Sequence, residues 1–202
     1  SLQTLLESDN EGRPRPGLVT AWQIASDMKS ITFTLRKGVK FHDGTDFNAQ
    51  AVKWNLDKVM AAKIEGTEAW DSISVMDDFT FRLTLKRFQN TVLGYLVSLP
   101  GAMISPTATD KNGIDWARLT PVGTGPFRFF SMNRDVNIKY ERFDAYWGPR
   151  PLLDGLEYLI IADATTRLLA FQRGDGDIFQ PDARDVADLR TKGYQILTRP
   201  GL

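Results

Sequence analysis

The stretch Ile31–Met60, ITFTLRKGVKFHDGTDFNAQAVKWNLDKVM, restricts what this chain can fold into more than any other, because it reads without a gap as strand, tight loop and capped helix. Ile31, Phe33 and Leu35 alternate with Thr32, Thr34 and Arg36, the period-two pattern of a strand with one buried face. Gly38 breaks the strand, and Asp43-Gly44 supplies turn chemistry. Asn48 stands where its side chain can accept from the first amides of a helix, so it is the expected N-cap. Val52, Leu56, Val59 and Met60 then recur at helical spacing, while Lys53, Asn55, Asp57 and Lys58 are assigned to the solvent side.

The flanking sequence extends this pattern. Leu18–Ile24 and the Ile31 strand form a hairpin through a turn at 26–30. Phe79, Phe81, Leu83 and Leu85 alternate with Thr80, Arg82, Thr84 and Lys86, a second strand entered by the turn Asp77-Asp78. Val92–Leu99 has helical spacing and stops at Pro100-Gly101, and Met103-Ile104 reads as a short strand. Thr107–Gly113, rich in small and polar residues, reads as a separator. Beyond it, Phe127–Phe129 and Asn137–Arg142 pair across Asn133-Arg134-Asp135, and Asp144–Pro149 is a loop with an aromatic anchor. From 156 to 197 the reading is strand, helix, strand, helix, strand: Leu156–Ile161, a helix from Ala164 to Gln172 capped by Asp163 and ended by Gly174, Ile178-Phe179, a helix capped by Asp182, and Gln195–Leu197. That order is the signature of an α/β unit with parallel pairing. Up to about 120 the chain reads as antiparallel α+β, and after about 121 as part of an α/β lobe.

Composition excludes several classes. Its 202 residues are enough to bury a real core, and 25 basic residues cancel 25 acidic ones, which gives no electrostatic case for nucleic acid or an anionic membrane as partner. Hydrophobic residues make up 42%, yet no apolar run is long enough to span a bilayer. With no cysteine there are no disulfides, thiolate nucleophiles or thiolate metal sites. The first residues, Leu2 to Leu6, read as the interior of an element, so processing or truncation of an export address is expected.

Few residues invite chemistry. His42, the single histidine, lies beside Asp43, but no serine occupies a G-x-S-x-G context and no second imidazole is available for a metal. A turn-stabilising role is therefore expected for it. Gly123-Thr124-Gly125 lacks the lysine and spacing of a phosphate loop and reads as a tight turn. Arg173-Gly174-Asp175-Gly176-Asp177 lacks the oxygen ligands of a calcium loop and reads as a helix end. Among the tryptophans, Trp70 follows the polar segment Glu65–Glu68 and stands outside any periodic element, a context open to a ligand.

Several ordered blocks then coincide. Pro16–Trp22 (PGLVTAW) and Thr32–Phe47 (TFTLRKGVKFHDGTDF), then Pro121–Phe127 (PVGTGPF), Glu141–Gly148 (ERFDAYWG) and Thr165–Ile178 (TTRLLAFQRGDGDI), resemble, in the right order, the family-5 extracellular solute-binding proteins, the peptide and nickel receptors of ABC importers. The resemblance covers essentially the whole chain. It implies a mixed α+β and α/β fold: part of lobe I of a periplasmic-binding-protein-like, Venus-flytrap architecture, with the second lobe absent. Residues 5–120 would be the smaller α+β subdomain of that lobe and residues 121–202 part of its α/β subdomain.

In function, the resemblance implies a non-catalytic receptor without cofactor or metal that captures a small solute, an oligopeptide or dipeptide, and delivers it to a membrane ABC permease. It would be monomeric at full length, without nucleic acid, and periplasmic or anchored outside the membrane. Trp70 aligns approximately with a cleft-facing aromatic of several members, and Trp70 and Met103 are the expected ligand-binding residues. Two departures stand out. Asn48-Ala49-Gln50-Ala51 keeps the helix cap but loses the acidic partner of the family's capping box. Gly101-Ala102 follows Leu99-Pro100 where the nickel branch carries an arginine, which favours an organic solute. The alternatives are a solute-sensing domain of a transcription regulator and a hydrolase built on scattered carboxylates.

Overall fold

The structure, a computed structural model, describes residues 1–198. In chain order, short strands β1 (Gln3–Thr4), β2 (Leu6–Ser8) and β3 (Pro14–Pro16) precede β4 (Val19–Ile24) and β5 (Ser30–Leu35), and helix α1 (Ala49–Ala61) follows. Next come β6 (Trp70–Asp77), β7 (Thr80–Leu85), α2 (Val92–Val97), a 3-10 turn at Leu99–Gly101, β8 (Ala102–Met103), α3 (Pro106–Asn112) and α4 (Ile114–Leu119). The last elements are β9 (Phe127–Asn133), β10 (Asn137–Arg142), β11 (Gly155–Leu159), α5 (Ala164–Arg173), a 3-10 turn at Ala183–Asp185 and α6 (Val186–Thr191). Contacts group the chain into two compact units, one of Ser1–Phe129 with Tyr140–Leu156, the other of Phe130–Lys139 with the described residues from Glu157 onward. The class change expected near residue 120 falls inside the first of these.

The first unit is built on an antiparallel sheet of order β4-β5-β7-β6. The alternation read from sequence sends Ile31, Phe33, Leu35, Phe81, Leu83 and Leu85 to one buried face, where the rings of Phe33 and Phe81 stack with centroids 4.8 Å apart. Such a pair stabilises by about 1 kcal/mol beyond its buried area. Helix α1 adds Val52 and Leu56 to the same core. Its cap is as expected, with Asn48 Oδ1 accepting from the Ala51 amide at 2.9 Å. Asn48→Ala should therefore lower stability by about 1 kcal/mol, read from the denaturation midpoint at unchanged m-value.

Three expectations are corrected in this unit. Asn55 does not face water. It is 4% exposed, and its amide donates to Ala51 O and Ile104 O while its carbonyl accepts from the Ile104 amide, so it ties α1 to the chain after β8. A buried side-chain amide with a complete set of partners is stable where an unpaired one is not. Residues 107–113 are not a separator: Ser105 caps α3, its Oγ accepting from Ala108 N at 3.0 Å, and Pro106 occupies the first turn, where its missing N–H costs nothing. Trp70 opens the eight-residue strand β6.

In the second unit α5 forms as read, with Asp163 accepting from the Thr166 amide at 2.7 Å and Gly174 in the left-handed conformation at its end. Phe171 packs on Phe179 and Tyr194. The strands expected at Ile178-Phe179 and Gln195–Leu197 do not form, because a strand needs a partner edge and neither segment pairs with one among the described residues. Asp182 makes no side-chain cap bond; it faces Arg184 at 3.4 Å. The three-stranded sheet has the order β11-β10-β9, so the hairpin at 133–137 is present, with Asp135 at φ 60 in its turn.

Candidate functional site

Both residues expected to meet a ligand lie in the first unit, and both belong to its one apolar core. Trp70 is paired with Leu85 across β6 and β7, and Met103 lies opposite Gln3 across β1 and β8. Each is 0% exposed, so neither side chain presents surface to a solute in this chain. The indole Nε1 of Trp70 is buried without a hydrogen-bond partner, as is Oε1 of Gln89. A buried N–H left unpaired costs about 1–3 kcal/mol.

A polar cluster that the sequence does not announce sits beside Met103. Gln3 Oε1 accepts from Trp147 Nε1 at 2.9 Å and from the buried hydroxyl of Thr124 at 3.1 Å, while Gln3 Nε2 donates to Tyr146 OH at 3.1 Å. The Arg36 guanidinium lies 4.2 Å from the Trp147 ring centre, and its Nε donates to Gly17 O. The aromatic anchor of 144–149 was legible; its polar partners were not, since they come from residues more than a hundred positions away.

The loop that follows β5 is a second hub. His42 Nδ1 accepts from the Gly123 amide at 3.2 Å, and its Nε2 lies 2.9 Å from Gly125 O. Burial holds the imidazole below its ordinary pKa. Asp43 Oδ2 accepts from Ser105 Oγ at 2.5 Å and Oδ1 from the Thr45 hydroxyl at 2.6 Å. Burial pushes the Asp43 carboxyl up, but these bonds and that from the Thr45 amide outweigh it and leave the group below its usual range. Although histidine, aspartate and serine meet here, no nucleophile is assembled. Ser105 is 0% exposed and bonds the carboxylate directly, and both imidazole nitrogens are engaged by backbone. The turn-stabilising role expected for His42 is the role the structure gives it.

An open cavity of about 450 Å³ lies between α1 and the start of α3, lined by Asp46, Gln50, Lys53, Trp54, Asp57 and Thr107 among others. Its charges are already paired, Lys40 with Asp46 at 2.6 Å and Lys53 with Asp57 at 2.7 Å, and Lys58 lies over Trp54. No group of three or more metal-ligating side chains occurs among the described residues, and no described helix is long and apolar enough to cross a membrane.

This architecture is that of the substrate-binding proteins of ABC transporters. An ABC transporter substrate-binding protein from Sinorhizobium meliloti superposes with a TM-score of 0.86 at 30% identity, over 96% of this chain and 42% of that one. The Helicobacter pylori periplasmic binding protein DppA, solved with the peptide STSA, gives 0.82 at 29% identity, over 94% of this chain and 43% of that one. Residues 13–201 match the family described as bacterial extracellular solute-binding proteins, family 5 Middle, and the chain belongs to that family. The glutathione-binding protein GsiB of Shigella flexneri is 33% identical over 208 aligned positions. These cover 99% of this chain and 40% of that protein, so the chain spans about two-fifths of the length of such relatives.

Proposed function

We propose that this chain is part of a receptor that captures a small peptide outside the membrane and hands it to an ABC permease. The observation that carries the reading is the family membership joined to the fold, since relatives named for glutathione and solved with a tetrapeptide share this architecture over nearly the whole chain. Glutathione is itself a small peptide, so the two names agree on a solute class. The departure at Gly101-Ala102 from the nickel branch favours the same class.

In this reading residues 5–120 form the smaller α+β subdomain of one lobe and residues 121–202 part of its α/β subdomain. Trp70 and Met103, which the resemblance assigns to the solute's wall by apolar contact, are core residues of the first unit, and in this reading they act only as packing behind that wall. The second unit supports the picture of a larger fold. It exposes Phe130 at 63%, Leu169 at 59% and Ile178 at 88%, whereas Ala170 and Leu189 are its only buried apolar side chains among the described residues. Apolar surface in that proportion is what an element covered by further polypeptide presents.

Ligand closure of two lobes would stabilise the bound state, by about 2.7 kcal/mol at a hundredfold excess over Kd. Calorimetric titration of the full-length polypeptide with di-, tri- and tetrapeptides, glutathione included, tests the proposal. Saturable heat with a rise in melting temperature is expected; a folded protein that gives neither across the panel overturns it.

A further inference from the structure

We propose that His42 is a proton-operated clasp, which at neutral pH holds the loop after β5 to both Gly123 and Gly125 and on acidification gives up the Gly123 amide while its Nε2–H keeps Gly125 O. The geometry carries this without any assumption about solute. The Gly123 N–H donates to Nδ1, so Nδ1 holds no proton, and the ring's single N–H is on Nε2, directed at Gly125 O. One neutral tautomer satisfies both contacts. The imidazolium cannot, because its new Nδ1–H would face the Gly123 N–H, donor against donor.

The surroundings reinforce the choice of tautomer, and after burial the next influence is the Gly125 carbonyl, which accepts from Nε2 in either protonation state and favours the cation. Phe143 meets the ring edge-on with centroids 4.9 Å apart. Of the charged side chains that act on the ring, Arg128 from β9 disfavours the cation and Asp43 from its own loop favours it. Asp43 already accepts from Ser105 and Thr45. Burial is the largest influence and also opposes protonation, in the same direction as the geometry. The Nε2–H bond to Gly125 O, the backbone bond from the His42 amide to Gly123 O, 2.8 Å, and that from the Gly125 amide to Ser1 O, 2.9 Å, keep the segment in place on protonation, so the change is confined to the Gly123 amide.

The sign follows from linkage. With its folded pKa below the unfolded value of 6.5, neutral His42 contributes stability that is fully present above that value. This stability is lost as pH falls toward the folded pKa. Amide exchange and nitrogen-15 NMR on the wild-type chain and on His42→Gln test the clasp. Glutamine carries one acceptor and one donor and does not titrate in this range. At pH 7 the ring nitrogens of the wild type should report an Nε2–H tautomer. Protection of the Gly123 amide, corrected for intrinsic exchange, should fall about tenfold or more in the wild type once falling pH has brought the ring nitrogens to the imidazolium, and stay level over the same range in His42→Gln. An Nδ1–H tautomer at pH 7, a wild-type Gly123 amide indifferent to pH, or an equal loss in His42→Gln would each overturn the proposal. The tautomer measurement needs no variant, so it decides the matter even if His42→Gln fails to fold.

Discussion

Trp70→Ala should lower the stability of the first unit by about 3–5 kcal/mol, enough to unfold much of it at physiological temperature. The side chain is fully buried at the start of β6, in the same core as Phe33, Phe81 and Met103, so truncation opens a cavity inside that core. Its companion is sharper. Trp70→Phe should stay within about 1 kcal/mol of the wild type, because the loss of apolar contact is offset by removal of a buried N–H that has no partner. Denaturation midpoints of the two variants settle the point: a Phe variant as unstable as the Ala variant would mean that the N–H contributes to the fold after all.

Gly101→Ala is the second large effect, expected to cost more than about 3 kcal/mol. A Cβ at position 101 would stand 1.9 Å from Leu96 O and 2.5 Å from Leu96 C, and both are backbone atoms that no rotamer change can move. The turn is held from several sides: the Gly101 amide donates to Ser98 O, and Gly101 O accepts from the Leu5 amide at 2.8 Å. Opening it would disturb β1 and β8, and with them Met103. Circular dichroism melts of the Ala and wild-type chains check this; near-equal stability would show that the 3-10 turn can relax where the geometry says it cannot.

Much of this was legible in the residues, and the reasons for the remainder are physical. Strands β5 and β7 and helices α1 and α5 each combine a period with punctuation at the ends, so Asn48 on α1 and Asp163 and Gly174 on α5 were readable as caps. Strand β6 was not, because bulges between Trp70 and Ser72 and between Val75 and Asp77 shift its register twice and destroy the alternation that identifies a strand. Helix α3 carries few apolar side chains, and its only local signal was the Ser105-Pro106 start. Asn55 looked like a solvent residue because helical spacing gives the face of a helix but not what lies against it; here Ile104 brings backbone groups to that face. The strands expected at 178–179 and 195–197 rested on short apolar runs, which commit to a strand only when a partner edge exists.

The candidate site divides in the same way. The loop 41–45 could be recognised as architecture from its own residues, but its partners Ser105, Gly123 and Gly125 come from segments sixty to more than eighty positions away. Trp70 was singled out by its setting after a polar segment, a setting that describes the chain before it and not the sheet it enters.

Capture of a small peptide, the proposed function, is open to direct measurement. Calorimetric titration of the full-length polypeptide with glutathione and with short unmodified peptides measures it most directly. One saturable site is expected for at least one member of that panel, with a melting temperature that rises with ligand concentration. A well-folded protein that binds none of them, yet binds a metal chelate or a sugar, would contradict it.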